Sequence, residues 1–564
     1  MNANVMTVTA QDELRRAMEL HTAGWLAEAA LLYRRVLLAE PANPDALHMT
    51  GVLAMQRDGA ANGIRLIERS LAMQENGRAR YNLAVALKQA GRFDEALEQT
   101  KAAVRLAPDF PAAHYNLGIA LAERREWHAA VAAYREAIRL NPSYTAAYIN
   151  VGNVLVDVWE PERAVAAYRN AIALDPAYPR VYSNLGNALR EHDRFAEGLV
   201  AVRRALTLDP ALASAHHNLG NALMEQARHA DAEASYKRAI ALTPDHAAAH
   251  FGLSLMQLHQ GDYARGWATY EWRWRTGDSF PPPGPRWQGE DVAGKTVLLY
   301  AEQGFGDTLH FVRYAPMVAA LGARVLLEAP EPLKRLLERT PGVERVTTHG
   351  TPPPAHDLQC PLLSLPQAFG TRLETIPADI PYLHADPALV ERWQARLPED
   401  GTLRVGLVWA GNPRRNQISA HSIDRRRSMR LEQFAPLAGV PGVRFYSLQK
   451  GEETASQAKA PPPGMDLVDV MDAVGDFADT AALIATLDLV IGVDTSVIHL
   501  AGGLGRPVWM LSRFDACWRW LAGREDSPWY PTMRVFRQPR PGAWAPVVER
   551  VAADLRAWAA GKAR

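Results

Sequence analysis

Cysteine is scarce in this chain of 564 residues: there are two, Cys360 and Cys517, far apart. Two distant thiols build neither a disulfide framework nor a cysteine-rich zinc site, which fits a reducing compartment. Charge of one sign is not in surplus either. Lys+Arg and Asp+Glu each number 62. A balanced chain argues against nucleic-acid binding as the main activity, because phosphate neutralisation needs basic excess. It argues equally against a polybasic membrane anchor. No run of about 18 apolar residues occurs, so no transmembrane helix is expected. The opening MNANVMTVTAQDELRRA lacks an apolar core of signal-peptide length. The expected location is therefore cytoplasmic. Apolar residues at 48% and charged residues at 22% are ordinary for soluble globular domains. At roughly 100–200 residues per domain, the length implies about three to five domains.

The first half repeats. PAAHYNLGIALAERREWHAAVAAYREAIRLNPSY, from Pro111, returns from Thr145, Pro179 and Ala213, with weaker copies near Ala10, Asp45, Gly77 and Ala247. Gly118, Gly152, Gly186 and Gly220 stand 34 residues apart, and Pro108, Pro142, Pro176, Pro210 and Pro244 keep the same interval. Small residues recur where two helices must cross, at Ala96, Ala130, Ala164 and Ala232, and again at Ala103, Ala137, Ala171 and Ala239. Tyr33, Tyr134, Tyr168, Tyr236 and Tyr270 fill the gap beside them. The proline ends each second helix, since the residue before it is pushed out of helical geometry. This pattern resembles the tetratricopeptide repeat, with about eight copies over residues 10–280. A single unit cannot bury its apolar stripe alone, so the units are expected to stack as a superhelix.

The resemblance implies a concave groove that holds an extended peptide. A two-carboxylate clamp would need lysines at the fifth position of each first helix. That position holds Tyr81, Tyr115, Ile149, Ser183 and His217, so a clamp is not expected. The next position holds Asn82, Asn116, Asn150, Asn184 and Asn218, and Asn153, Asn187 and Asn221 add a shorter row. A carboxamide both donates to and accepts from a peptide backbone. The row is similar to the asparagine ladder of the protein O-linked N-acetylglucosamine transferases. The alternative is that Asn-Leu-Gly serves packing only.

Past the last repeat, Trp267, Tyr270, Trp272, Trp274 and Trp287 cluster. They read as a cap closing the end of the repeat core against the next domain, or as an aromatic sugar platform. Pro281, Pro282 and Pro283 mark a stiff linker, placed at residues 281–295. GEDVAGKT, from Gly289 to Thr296, fits the phosphate-loop pattern. That motif works only when a helix follows it, and here a strand-like TVLLYA follows, so a nucleotide triphosphatase is not expected.

From residue 296 strands alternate with helices, the stretch 308–322 reading as one helix and the proline-rich stretch 351–370 as irregular, which implies parallel sheets with right-handed crossovers. Two Rossmann-like α/β halves are expected, at 296–398 and 399–560, with ligand at the carboxyl ends of the strands. Three places could carry chemistry. In Gly304-Phe305-Gly306-Asp307 a dinucleotide fingerprint would need a third glycine where Leu309 stands, although Glu328 could still serve a ribose. Asp307 could instead take a proton from an attacking hydroxyl, or simply cap its helix. Asp494-Thr495-Ser496, with His499 four residues after Thr495, opens a helix after the strand LDLVIGV. Free amides and the helix dipole there favour a diphosphate. The loop from Trp409 to Pro413 leads into Arg414, Arg415, Arg425, Arg426, Arg427 and Arg430. Arg427-Ser428 is the preferred phosphate-binding pair among them, and Gln449-Lys450 also points at the cleft.

Together these features resemble the heptosyltransferase-like glycosyltransferases of the two-domain GT-B type, over roughly residues 296–555. The resemblance implies that Asp307 is the general base. It implies that Gly304, Gly306, Asp494, Thr495, Ser496, His499, Arg427 and Lys450 form the donor and phosphate side. A nucleotide-sugar would be the co-substrate, with no obligatory metal and no resident cofactor. Ser496 departs from the glycine usual in the family, and the family's phosphate-binding lysine has no clear counterpart, a place an arginine could fill. The expectation is an inverting transfer to an acceptor hydroxyl on a protein presented by the repeats, a bacterial surface protein such as flagellin being one setting. The alternatives are a repeat scaffold without catalysis and a transferase acting on lipopolysaccharide core sugars.

Overall fold

The computed structural model describes residues 9–57, 59–277, 282–414 and 418–562. Pro281 and Arg415 lie outside these residues. The chain divides into two compact units, Met1–Ala188 and Leu189–Arg564, and the division falls inside the helix Pro179–Glu191. Among the described residues, sixteen α-helices run from Ala10–Thr22 to Tyr263–Tyr270.

Within the first unit the repeat glycines have a steric cause. A Cβ on Gly118 would lie 2.5 Å from the Tyr134 ring, and one on Gly152 would lie 2.5 Å from Tyr168. In these two pairs the tyrosine of the second helix lies against the first helix where no side chain intervenes. Ala130, Ala137, Ala164 and Ala171 are buried beside those rings. In the second unit Tyr236 does the same work against Gly220 and Gly252. Seven of the eight helix pairs turn through one left-handed residue. That residue is Gly24, Gly91 or Gly261 in some repeats and Arg125, Trp159, Asp193 or Ala227 in others.

The second unit also holds two parallel sheets. The first comprises β1 (Thr296–Tyr300), β2 (Arg324–Ala329), β3 (Val343–Thr348) and β4 (Leu358–Pro361), in the order β3-β2-β1-β4. The second comprises β5 (Leu403–Val408), β6 (Val443–Ser447), β7 (Leu467–Val468), β8 (Leu489–Val493), β9 (Val508–Ser512) and β10 (Met533–Arg537). Its order is β10-β9-β8-β5-β6-β7. Central strands buried on both faces, such as β8, read as unbroken apolar runs because helices cover both sides. Strand order reverses between β5 and β8, and between β1 and β4. Crevices for ligands open at such switch points, beyond the carboxyl ends of the strands.

Two local expectations are corrected. The proline-rich stretch from Thr351 to Gly370, expected to be irregular, contains β4: its four residues are all buried, so burial and pairing with β1 override the surrounding prolines. The stretch 308–322, expected as one helix, is the helix Phe305–Phe311, a 3-10 turn Val312–Tyr314 and the helix Ala315–Ala320. Pro316, with no N–H to give, sits just inside the start of the last piece, where it is tolerated. The segment GEDVAGKT leads into β1 with no helix after it, so no helix amides face a phosphate there.

The junction residues Trp267, Tyr270 and Trp287 are buried in the same core as β1 and β2. Trp267 meets Trp518 edge-on at 5.2 Å, and the Tyr263 hydroxyl accepts from Trp529 Nε1 at 3.0 Å. The last repeats of the second unit thus share one apolar core with the α/β part.

Candidate functional site

The helices Phe305–Phe311 and Ser496–Gly503 pack against each other although they follow strands of different sheets. A glycine permits the approach: a Cβ on Gly306 would lie 2.9 Å from His499 Cδ2 and 3.6 Å from Ser496 Cα. The two motifs picked out along the sequence therefore meet. Asp307 is not the N-cap of its helix. Gly304 is, and Asp307, three residues on, reaches back so that its Oδ2 accepts from Gly304 N at 3.1 Å. Its Oδ1 accepts from Arg519 Nη2.

Motif reading does not single out Arg519. It lies in a 3-10 turn, Trp518–Trp520, that grips both candidate carboxylates. Trp520 Nε1 donates to Asp494 Oδ2 at 2.9 Å, and its ring stacks on His499 at 5.3 Å between centroids. The signal available in the sequence is only the aromatic-cationic run Cys517-Trp518-Arg519-Trp520, which has no characteristic spacing. Arg519 is 7% exposed. Burial works against its charge, but the Asp307 carboxylate, helped by Cys517, holds the guanidinium above its ordinary value.

His499 is 5% exposed, and burial pushes it down to about 4 although Asp494 opposes this. It is neutral at physiological pH. Its Nε2 lies 3.8 Å from Asp494 Oδ1, too far for a hydrogen bond. Its Nδ1 lies 2.9 Å from the Tyr530 hydroxyl, which also lies 2.8 Å from His310 Nδ1. Tyr382 gives its own hydroxyl proton to Leu309 O at 2.9 Å, so it can only accept from Tyr530. Tyr530 has one proton for these three neighbours, hence at least one of the two rings must donate to it. Thr495 is the N-cap of its eight-residue helix, yet its hydroxyl does not cap it: Oγ1 is buried without a hydrogen-bond partner.

The loop after β5 also comes near Asp307. Arg414 adopts a left-handed φ of 40°. Burial and the neighbouring Arg427 lower it, while Asp307 raises it, which puts its guanidinium among these groups. Arg427 is pinned to Asp424 Oδ1, at 3.0 Å from Nε and 2.9 Å from Nη2, over Gly411, where a Cβ would lie 2.5 Å from Nη2. Ser428 Oγ accepts from Gly411 N at 3.0 Å, so the preferred pair shapes this loop. Lys450, just past β6, is exposed and its Nζ donates to Val474 O at 2.5 Å. Arg425 and Arg426 turn away to the repeats of the second unit. Arg425 pairs with Asp193 at 2.7 Å and Arg426 with Glu225 at 2.8 Å.

In the first unit the asparagine row is half-buried and already bonded to neighbouring repeats. Asn82 Nδ2 lies 2.8 Å from His48 Nε2, and Asn150 Nδ2 donates to the Tyr115 hydroxyl at 3.1 Å. Asn116 bonds Tyr81, and Asn184 Nδ2 donates to Asn153 Oδ1 at 3.0 Å. Each carboxamide is held by the row one repeat back, which fixes its orientation and leaves spare hydrogen-bonding capacity. A cavity of about 790 Å³ opens beside the row, lined by Tyr81, Val85, Phe93, Thr100, Asn116 and Ile119. In the second unit Asn218 bonds His217.

Two family models match within the helical half. The Tetratricopeptide repeat family matches residues 48–100, 81–145 and 217–271, and a TPR repeat model matches 161–193. Protein FlbA of Caulobacter vibrioides is 34% identical over 328 residues, 52% of either chain. The chain thus spans about half the length of the curated relative it matches. MamA 41-end from Desulfovibrio magneticus RS-1 is 25% identical with a TM-score of 0.28, covering 30% of this chain and 96% of its own. YrrB, titled a TPR protein with an unusual peptide-binding site, is 21% identical with a TM-score of 0.29, covering 32% of this chain and 95% of its own. No helix among the described residues is long and apolar enough to cross a membrane. The repeated helix pairs in the first half of this chain are tetratricopeptide repeats.

Proposed function

We propose that the α/β part is a GT-B-type glycosyltransferase and that the repeats are a protein-interaction scaffold presenting its acceptor. The observation that carries this reading is the convergence of Asp307 with Asp494, Thr495 and His499 at the carboxyl ends of strands from two parallel sheets. The helix Ser496–Gly503 offers free amides and the Thr495 hydroxyl to a diphosphate. Asp307 accepts the proton of an acceptor hydroxyl, and that oxygen forms a bond to the anomeric carbon from the face opposite the leaving group. The carbon–oxygen bond to the diphosphate breaks, and its electron pair leaves with the diphosphate, whose charge the helix terminus and nearby guanidinium groups stabilise. His499, neutral and buried, orients the helix terminus and does not supply charge.

A second reading, a scaffold without catalysis, draws on one observation: both carboxylates already have partners in Arg519 and Trp520. A calorimetric screen of nucleoside diphosphates against the full chain and Thr495→Val separates the two. The transferase reading expects binding of at least one nucleotide, weakened roughly threefold to tenfold when the hydroxyl is removed. If no nucleotide binds the wild-type chain, the scaffold reading stands alone.

A further inference from the structure

Arg519 carries more hydrogen-bonding capacity than its partners use. A guanidinium has five N–H donors in a planar fork. Here Nη2 donates to Asp307 Oδ1, and Nη1 meets only Cys517 Sγ, a weak acceptor, at 3.1 Å. Nε is buried with no partner at all. The group is clamped in place by the Trp518 ring, 4.4 Å from its centre, and the Phe311 ring at 5.6 Å. Buried donors left unpaired are costly and call for an explanation. The same neighbourhood holds the unpartnered hydroxyl of Thr495, whose chain neighbour Asp494 is bonded by Trp520 of the same turn. A rigid fork with an unpaired donor, whose charge also reaches His499 of the helix that begins at Thr495, matches an anion with several oxygens.

We propose that Arg519 is shared by two anions in turn: it holds the carboxylate of Asp307, and the diphosphate of an activated donor draws it away. This rests on the glycosyltransferase reading and adds to it an order of events. With Oδ1 held by the guanidinium and Oδ2 by the Gly304 amide, both carboxylate oxygens of Asp307 already have donors, and an acceptor hydroxyl must compete for its place. Transfer of Arg519 to the diphosphate leaves Asp307 with the Gly304 amide as its remaining partner and with Oδ1 exposed to an acceptor hydroxyl. The donor must then bind before the base becomes competent, which protects the activated sugar from attack by water while the site is half-filled. Arg519 is a positioning residue towards Asp307 and a binding residue towards the diphosphate.

The test is calorimetric titration of the full chain with inorganic pyrophosphate. Four proteins are compared: wild type, Asp307→Asn, Arg519→Lys, and the double variant Asp307→Asn/Arg519→Gln. The double variant removes both charges together, so it stays folded even if a single change leaves a buried charge unpaired. Asp307→Asn is expected to bind pyrophosphate about tenfold more tightly than wild type, because a competing carboxylate is gone. Arg519→Lys and the double variant are expected to bind it about tenfold more weakly, because the bidentate fork is lost. Binding by wild type that neither strengthens in Asp307→Asn nor weakens in the double variant overturns the sharing and leaves the donor-site reading intact. No binding by wild type and Asp307→Asn alike removes the donor site itself.

Discussion

Ala227 is the clearest case of a single residue at odds with its backbone. It occupies the left-handed turn position of its repeat, at φ 56°, where Gly24, Gly91 and Gly261 sit in others. It is exposed, and the cost of its Cβ there is steric, of order 1–2 kcal/mol. Ala227→Gly is expected to stabilise the chain by about 0.5–1 kcal/mol once the greater freedom of glycine in the unfolded state is subtracted. Urea unfolding reads this directly, and a destabilised variant would show that the methyl group is not strained in the turn. At the same scale the sequence was legible where a role is local. Gly118, Gly152 and Gly220 announced themselves by spacing because each must accept a tyrosine from the next helix. Arg519 did not, because its partner Asp307 lies 212 positions away and nothing in its neighbours states that distance.

Among elements, the turn Trp518–Trp520 does what no single motif does: it connects the Asp307 helix, the Asp494 terminus and the aromatic core beneath the last repeats. Trp520→Phe keeps an aromatic ring against His499 but removes the donor to Asp494 and part of a fully buried indole. It is expected to cost about 1–3 kcal/mol, since Asp494 loses a hydrogen bond inside a largely buried site. It should also weaken nucleotide binding. Equal stability of the two proteins in urea would show that Asp494 is satisfied without the indole. The helix Ile418–Arg427 reads in sequence as a run of charge, yet its arginines part company. Arg425 and Arg426 grip Asp193 and Glu225, while Arg427 braces the loop after β5. Charge was visible in the sequence, but a helix turns about 100° per residue, so direction was decided by what surrounds it.

For the whole molecule, buried imidazoles make a pH prediction. Burial pushes His217, His259 and His499 of the second unit each down to about 4, and it lowers His310 strongly. In the unfolded chain these rings titrate near 6.5. Between pH 6.5 and 4 the unfolded state binds more protons than the folded one, so stability falls as pH falls through that window. The second unit is expected to melt at a lower temperature at pH 5 than at pH 7.5. Tryptophan fluorescence follows this unit, since all tryptophans but Trp25, Trp127 and Trp159 lie in it. A melting temperature unchanged over that range would show that the imidazoles are hydrated.

Most short-range features follow from the chain alone. The 34-residue period, the crossing alanines and the strand–helix alternation are dictated by backbone geometry and by apolar faces that must be covered within one or two elements. The candidate sites at Asp307 and Asp494–His499 were also legible, because each is a helix start after a strand. Which side chains those sites engage depends on how distant segments pack. Asp307 is bound by an arginine from beyond β9, the asparagines are pinned by the preceding repeat, and the final repeats of the second unit share a core with the sheets. The reason is physical: a buried charge takes whatever partner the packing of distant segments brings within about 3 Å, and packing is a property of the assembled core.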